Sequence, residues 1–151
     1  MGANRTRLDE LLRRRRRVSR VPAAVAAWAA VGVAASPLST DRHEQLVRLL
    51  RSASIGRFGE LRPCTVPLSD VVSEFTQRGD MLVLIGWDVD EEPGLLLSSE
   101  ALRQSVAHLR SIYPDGFALL DQPLTSALLI DFDADDHTIL YVDGGSLGWV
   151  T

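Results

Sequence analysis

The sequence predicts an α+β fold, a two-layer sandwich with about three helices and a mostly antiparallel sheet of four or five strands. Helical hydrophobic spacing dominates the first half of the chain, whereas short apolar runs dominate the second half. Most of these runs are separated by a few turn-forming residues, which is typical of hairpins and therefore of antiparallel pairing. Helices followed by hairpin-linked strands favour a sheet with helices on one face.

The composition is that of a folded protein of ordinary domain size. The chain has 151 residues, of which 46% are hydrophobic and 24% are charged. Cys64 is the only cysteine, which excludes an intramolecular disulfide and the common zinc sites built on two or more thiolates. A single thiol favours a reducing compartment, so we expect a cytoplasmic protein.

Charge divides the chain into two predicted units. Residues 1–20 carry eight Arg against Asp9 and Glu10, a net charge of +6, whereas residues 21–151 carry eight Arg against 18 acids, a net charge of −10. We therefore predict a basic, Ala-rich helical extension over residues 1–36 and an acidic α+β domain over residues 37–151. An acidic body repels phosphate and attracts basic partners, so it is not expected to bind nucleic acid.

Three interpretations of the N-terminal extension remain open. The first is a charged helix followed by a short Ala-rich helix that docks through Trp28, with Pro22 breaking or restarting the helix. The second is an export signal with an apolar stretch over 21–35 and a small-residue cleavage site at 33–35, which would make the domain an exported one. The third is a membrane anchor, but an Ala-rich stretch of this length supports no membrane span.

Helices of the body follow from apolar spacing and capping residues. Leucines at helical spacing, with acids in the first turn and Arg in the last, predict a helix over 41–53. Ser69 is the predicted cap of a second helix with an apolar face over 71–75, and Gly79 occupies the place of a C-terminal glycine. Ser98 or Ser99 is the predicted cap of a third helix.

Strands follow from the remaining apolar runs. The run 81–87 is continuous and predicts a buried strand, and the run 95–97 is expected to pair with it across an acidic turn. The run 117–120 predicts a further strand. The runs 127–132 and 138–142 flank four polar residues and predict a second hairpin.

The carboxylates of the two acidic turns are the main candidates for a functional site. Alternating carboxylates from Asp131 to Asp136 resemble the opening of a calcium loop of the helix–loop–helix type. That loop requires Gly at its sixth position and Glu at its twelfth, where this chain has Asp136 and Val142. We therefore predict a solvated hairpin turn, no metal site and no cofactor.

No catalytic set accompanies these carboxylates. His43, His108 and His137 have no His or Cys three or four residues away, and Cys64 has no neighbouring base. No serine lies in a Gly-x-Ser-x-Gly motif. We expect His43 and His108 at polar positions on helices, and the sequence favours a binding module over an enzyme.

The predicted function is that of a non-enzymatic bacterial protein-interaction domain, of the immunity or inhibitor type, that binds a partner with a basic surface. The predicted contact residues are the turn carboxylates and two tryptophan anchors, namely Asp88, Asp90, Glu91, Glu92, Asp133, Asp135, Asp136, Trp87 and Trp149. Two alternatives remain open. One is a metal-binding domain or small enzyme that uses the same carboxylates, and the other is a self-assembling subunit whose Arg- and Ala-rich helices pack between protomers.

Overall fold

The computed structural model of the protein describes residues 2–56, 62–63, 67–132 and 137–143. Within these residues lie five α-helices and seven strands, five of which have four or more residues. The helices are α1 (Gly2–Ala29), α2 (Thr40–Gly56), α3 (Leu68–Phe75), α4 (Ser99–Gln104) and α5 (Leu109–Ile112). The strands are β1 (Ser36–Pro37), β2 (Arg62–Pro63), β3 (Met81–Gly86), β4 (Leu95–Ser98), β5 (Gly116–Asp121), β6 (Ser126–Phe132) and β7 (His137–Asp143).

The strands form one sheet in the order β1-β4-β3-β5-β6-β7-β2, and every pair in it is antiparallel. Both predicted hairpins form. Leu84 of β3 pairs with Leu95 of β4 across the first turn, and Phe132 of β6 pairs with His137 of β7 across the second. The predicted α+β class with a mostly antiparallel sheet is therefore confirmed.

Strand β3 is buried on both faces, which explains its uninterrupted apolar sequence. Because side chains alternate along a strand, Leu82 and Leu84 lie on one face, in the cluster formed with α3, α4, α5 and the end of α1. Val83 and Ile85 lie on the other face, in the cluster that contains Leu46 of α2. Helix α2 thus covers the second face of the sheet, opposite α3, α4 and α5, so helices lie on both faces rather than on the one face that the sequence favoured.

The cap predicted for the second helix is wrong. Helix α3 begins at Leu68 with Pro67 as its N-cap, not at Ser69. The ring of Pro67 holds φ at −57°, and its carbonyl oxygen accepts the amides of Asp70 and Val71. Gly79 does end this helical segment, as the C-cap of the 3-10 turn that follows α3, but its φ of 170° is extended backbone.

The third predicted helix is divided rather than continuous. Ser98 caps α4 by accepting the amide of Ala101 at 3.2 Å, as the sequence suggests. A 3-10 turn over Val106–His108 then separates α4 from α5. Leu102 and Leu109 are nevertheless both buried against the sheet.

Helix α1 continues through Pro22, so the break predicted there is wrong. Proline removes one helical hydrogen bond and crowds the carbonyl group four residues earlier, that of Val18. Both residues are exposed, so water can solvate that carbonyl group. Contacts on both sides of Pro22 attach the helix to the same body, as described below.

Trp28 attaches the end of α1 to the sheet. Its side chain is fully buried, and its indole N–H donates to the Tyr113 hydroxyl oxygen at 3.1 Å. Ring contacts continue from Trp28 to Tyr113, Phe117 and Phe132, with centroid distances of 6.2, 5.9 and 5.8 Å. Burial raises the pKa of Tyr113 to about 12, so its hydroxyl stays protonated and accepts the indole hydrogen bond at neutral pH.

Across the described residues, none of the helices combines the length and the apolar character needed to cross a membrane.

Replacing Trp28 tests this attachment. We expect Trp28→Ala to lower the free energy of unfolding by about 3–5 kcal/mol, because it leaves a large cavity beside Tyr113. Trp28→Phe keeps most of the volume but loses the indole hydrogen bond, so it should cost about 1–2 kcal/mol. Urea denaturation measures both values. The control Leu8→Ala removes an exposed side chain of the same helix and should change stability by less than about 0.5 kcal/mol; an equal loss in Trp28→Ala and Leu8→Ala would contradict the assignment.

Candidate functional site

The acidic loop, residues 88–92, connects β3 to β4. Its backbone closes one helical turn, because the amides of Glu92 and Glu91 donate to the Asp88 carbonyl oxygen at 2.8 and 3.2 Å. Asp88 is exposed, and Asp90, Glu91 and Glu92 are partly buried. These hydrogen bonds hold four carboxylates close together on one short turn.

Repulsion between carboxylates of the acidic loop affects the pKa of Glu92. Burial raises its pKa, and the neighbouring carboxylates of Asp88 and Glu91 raise it further, while Arg20 opposes them. Close carboxylates repel one another and favour a neighbouring cation. The loop therefore gains from positive charge placed against it.

His43 of α2 supports the acidic loop from below. The imidazole is only 3% exposed, and its Nε2 lies 3.1 Å from the Val89 carbonyl oxygen, to which it donates. Burial, followed by the nearby Arg17, lowers the pKa of His43 to about 4. The ring is thus neutral at pH 7, and His43 lies on a helix, as predicted, but in a buried position. Helix α2 buries His43 because the loop folds over that turn of the helix.

The far side of the acidic loop is fixed by close backbone packing. The amide of Leu38 donates to the Gly94 carbonyl oxygen at 3.0 Å. A Cβ atom at Gly94 would lie 2.9 Å from Leu38 Cδ1, so the Leu38 side chain would have to shift to admit a larger residue. Together with His43, this contact gives the loop a defined conformation.

Three arginines of α1 bind the acidic loop. Arg16 Nη1 lies 2.7 Å from Glu91 Oε1, and Arg20 lies 3.7 Å from the other oxygen of Glu91 and 3.6 Å from Glu92 Oε1. Guanidinium groups also donate to backbone oxygens, that of Arg17 to Asp90 at 3.2 Å and that of Arg20 to Glu91 at 3.5 Å. The loop thus accepts arginine through side-chain and backbone oxygens at once.

The remainder of the arginine arm, defined as residues 5–20 of α1, is attached to the body by polar contacts. Arg14 forms an ion pair with Glu44 of α2. A cleft of about 320 Å³, lined mainly by charged side chains, lies between the arm and α2. Within it, burial and then the neighbouring Arg14 lower the pKa of Arg17. The arm, which precedes Val21 in the sequence, therefore contacts the body mainly through polar and charged groups.

These contacts are weak enough to be reversible. The arginines involved are about half exposed, and a solvated ion pair contributes about 0.2–1 kcal/mol, which salt reduces. Taken together, the contacts to the loop stabilise the docked arm by about 1–2 kcal/mol. The arm thus covers the loop without sealing it.

The predicted contact residues divide between described and undescribed parts of the chain. Trp87 is 41% exposed at the start of the loop, and its ring lies beside Gly116 of β5. Asp133, Asp135, Asp136 and Trp149 lie outside the described residues, as does Cys64. Strand β6 ends at Phe132, at the same end of the sheet where β3 ends.

Side chains that commonly ligate metals are not grouped in the described part of the chain. Within it, no group of three or more His, Cys, Asp or Glu side chains is arranged to hold a metal ion. Comparisons with known proteins return no match, since no protein-family model, curated protein or solved structure is detectably similar to the chain.

Sequence reasoning missed the intramolecular partner of the acidic loop. The signal was present in the opposite charges of residues 1–20 and 21–151. However, Arg16, Arg17 and Arg20 lie more than 70 residues from the loop in the sequence. Only the direction of α1, set by its packing, brings them together with the carboxylates.

The lowered pKa of His43 predicts a specific pH dependence of stability. Below pH 6.5 the unfolded chain protonates this histidine while the folded protein resists protonation down to about pH 4. The free energy of unfolding should therefore fall across this window, by at most about 3 kcal/mol from this residue, and recover above pH 6.5. Chemical denaturation from pH 4 to pH 8 measures the effect.

His43→Gln keeps a donor for Val89 but removes the titration. The difference in stability between this variant and the wild type should shrink as pH falls from 7 to 4. His108→Gln, which removes an exposed histidine, is the matched control. Parallel pH profiles of His43→Gln and the wild type would show that His43 contributes nothing to this dependence.

Proposed function

We propose that the protein is a non-enzymatic interaction domain, of the immunity or inhibitor type, whose acidic loop binds an arginine-bearing surface of a partner protein. The observation that carries this proposal is the binding of three guanidinium groups by three loop residues, Asp90, Glu91 and Glu92, with Glu91 contacting both Arg16 and Arg20. A loop that binds arginine side chains of its own chain has the geometry to bind those of another.

The chemistry of the loop favours arginine over other cations. A guanidinium group carries five N–H donors in one plane, so it can bind a carboxylate and a carbonyl oxygen together. Arg20 does this with the Glu91 side chain, the Glu92 side chain and the Glu91 carbonyl oxygen. A lysine ammonium group is a point charge and would satisfy fewer of these acceptors.

The spacing of the bound arginines describes the expected partner. Arg16, Arg17 and Arg20 share one side of a helix, because Arg20 follows Arg16 by four residues and Arg17 by three, and residues at these spacings are neighbours. The partner element that fits the loop is therefore a helix with arginines at this spacing. Trp87, exposed at the edge of the loop, offers an apolar contact beside the charges.

The arginine arm would compete with such a partner for the loop. Its contacts are worth about 1–2 kcal/mol, which lowers the apparent affinity for an external helix about 5- to 30-fold. The arm would thereby reject weak basic ligands and admit a partner that offers further contacts. This competition is a mechanism of selectivity that requires no catalytic group.

Full-length variants test the proposal with a defined probe, a synthetic helical peptide that carries the sequence of residues 5–20. Arg16→Gln/Arg20→Gln removes the competing ion pairs and should bind the peptide about tenfold more tightly than the wild type. The control Arg5→Gln/Arg7→Gln changes the net charge equally but leaves the loop covered, so it should bind like the wild type. Isothermal titration calorimetry at low salt gives the dissociation constants.

Two further measurements locate the binding site. Adding Glu91→Gln to Arg16→Gln/Arg20→Gln should remove most of the gain in peptide affinity, because Glu91 contacts two of the guanidinium groups. A peptide with Gln in place of Arg16, Arg17 and Arg20 should bind weakly to every variant. If Arg16→Gln/Arg20→Gln and the Arg5→Gln/Arg7→Gln control bind the peptide equally, the proposal is wrong.

A further inference from the structure

Four of the large hydrophobic side chains that the described residues expose lie on one face of α1. This outer stripe consists of Leu8, Leu11, Leu12 and Val18, which are between 41% and 60% exposed. Together with Arg14, Arg15 and Ser19 they line a shallow, largely apolar surface. Since burial of such side chains is favourable, an uncovered stripe of this kind marks a surface of contact.

Most of the outer stripe faces away from the body. Each helical residue advances about 100° around the axis, so the four stripe residues fall within about 120° of one another. Leu8 and Leu12 lie on the opposite side of the helix from the residues that pack on the body, namely Val21, Ala24, Val25 and Trp28, whereas Val18 lies at the margin and also borders a small cavity beside Leu38. Whatever covers the stripe therefore comes from outside the described body.

The charges around the outer stripe are all positive. Arg15 lies within it, and Arg5 and Arg7 border its two sides by helical spacing. These three arginines form no ion pair with the described residues, unlike Arg14, Arg16 and Arg20. Glu10, by contrast, lines the cleft on the side of α2.

We propose that the outer stripe and its three arginines bind the surface of an anionic phospholipid bilayer. An amphipathic helix with aliphatic residues on one face and arginines beside them lies in the interface between lipid headgroups and acyl chains. The guanidinium groups bind lipid phosphates while the leucines enter the outer acyl region. This inference goes beyond the proposed function, since it uses the face of α1 that does not contact the acidic loop.

A second copy of the chain fits the outer stripe poorly. Two such helices packed along their stripes would place Arg15 of each copy within the same interface. No acid borders the stripe to compensate, because Asp9 lies farther around the helix than Arg5 and Glu10 faces α2. Like charges in a desolvated contact oppose association, whereas lipid phosphates neutralise them.

Vesicle binding by the full-length protein tests the proposal. We expect the protein to float with phosphatidylcholine vesicles that contain about 30 mol% phosphatidylserine and not with pure phosphatidylcholine vesicles. Arg5→Gln/Arg7→Gln/Arg15→Gln should lower the partition coefficient about 100-fold, since each arginine contributes about a factor of five near the surface. Leu8→Gln/Leu11→Gln/Leu12→Gln should also abolish binding while it retains the helix, because Gln is a good helix former.

A matched control separates location from net charge. Arg78→Gln/Arg103→Gln/Arg110→Gln removes the same charge from the body and should leave vesicle binding unchanged. Circular dichroism verifies the helix content of every variant. The leucine variant should bind the peptide through its acidic loop as the wild type does. The membrane proposal and the proposed function can therefore fail separately. The proposal is wrong if the two triple-arginine variants partition equally, or if the wild-type protein does not float with the anionic vesicles. It is also wrong if sedimentation shows that the protein is a dimer and that the leucine substitutions dissociate it.

Discussion

The burial of Trp28 sets the positions of the α1 arginines that contact the body. Because Trp28 is fixed against Tyr113 and the sheet, the preceding helix must leave the body in one direction. Arg20 and Arg17 lie eight and eleven residues earlier, which the helical repeat places on the same side as Trp28. One apolar contact thus decides which polar contacts form, and continuity of α1 through Pro22 is the condition for it.

Two kinds of energy act at the acidic loop. The loop itself is held by buried backbone contacts, with neutral His43 below and the Leu38–Gly94 hydrogen bond beside it. These interactions hardly respond to salt, since no ionised group takes part in them. The contacts of the arginine arm are exposed ion pairs, which salt weakens. Because of this difference, the acidic loop keeps its conformation while the arginine arm can dissociate from it.

Much of the fold could be predicted because it depends on local patterns. The apolar run of β3, the hairpin that pairs Leu84 with Leu95 and the cap at Ser98 are all encoded in neighbouring residues. Pro22 shows where local rules fail. A proline in a helix interior costs about 3 kcal/mol, yet α1 continues through Pro22 and contacts the body on both sides of it.

The candidate site was predictable only in part. The acidic loop is evident from its composition and from the strand that precedes it. The burial of His43 depends on a loop nearly 50 residues later in the sequence. Similarly, the arginines meet the carboxylates only because α1 packs on the body in one orientation. Charge asymmetry indicates attraction between the two parts, but it does not say which arginine meets which carboxylate.

The interaction between the arginine arm and the acidic loop can be measured directly with a double-mutant cycle on Arg16 and Glu91. The free energies of unfolding of the wild type, Arg16→Gln, Glu91→Gln and the double variant give the coupling energy. The structure predicts a coupling of about 0.5–1 kcal/mol at low salt that declines at high salt, and none between Glu91 and the outward-facing Arg15. A zero coupling for Arg16 at low salt, or an equal value for Arg15, would contradict the docked arrangement of the arm.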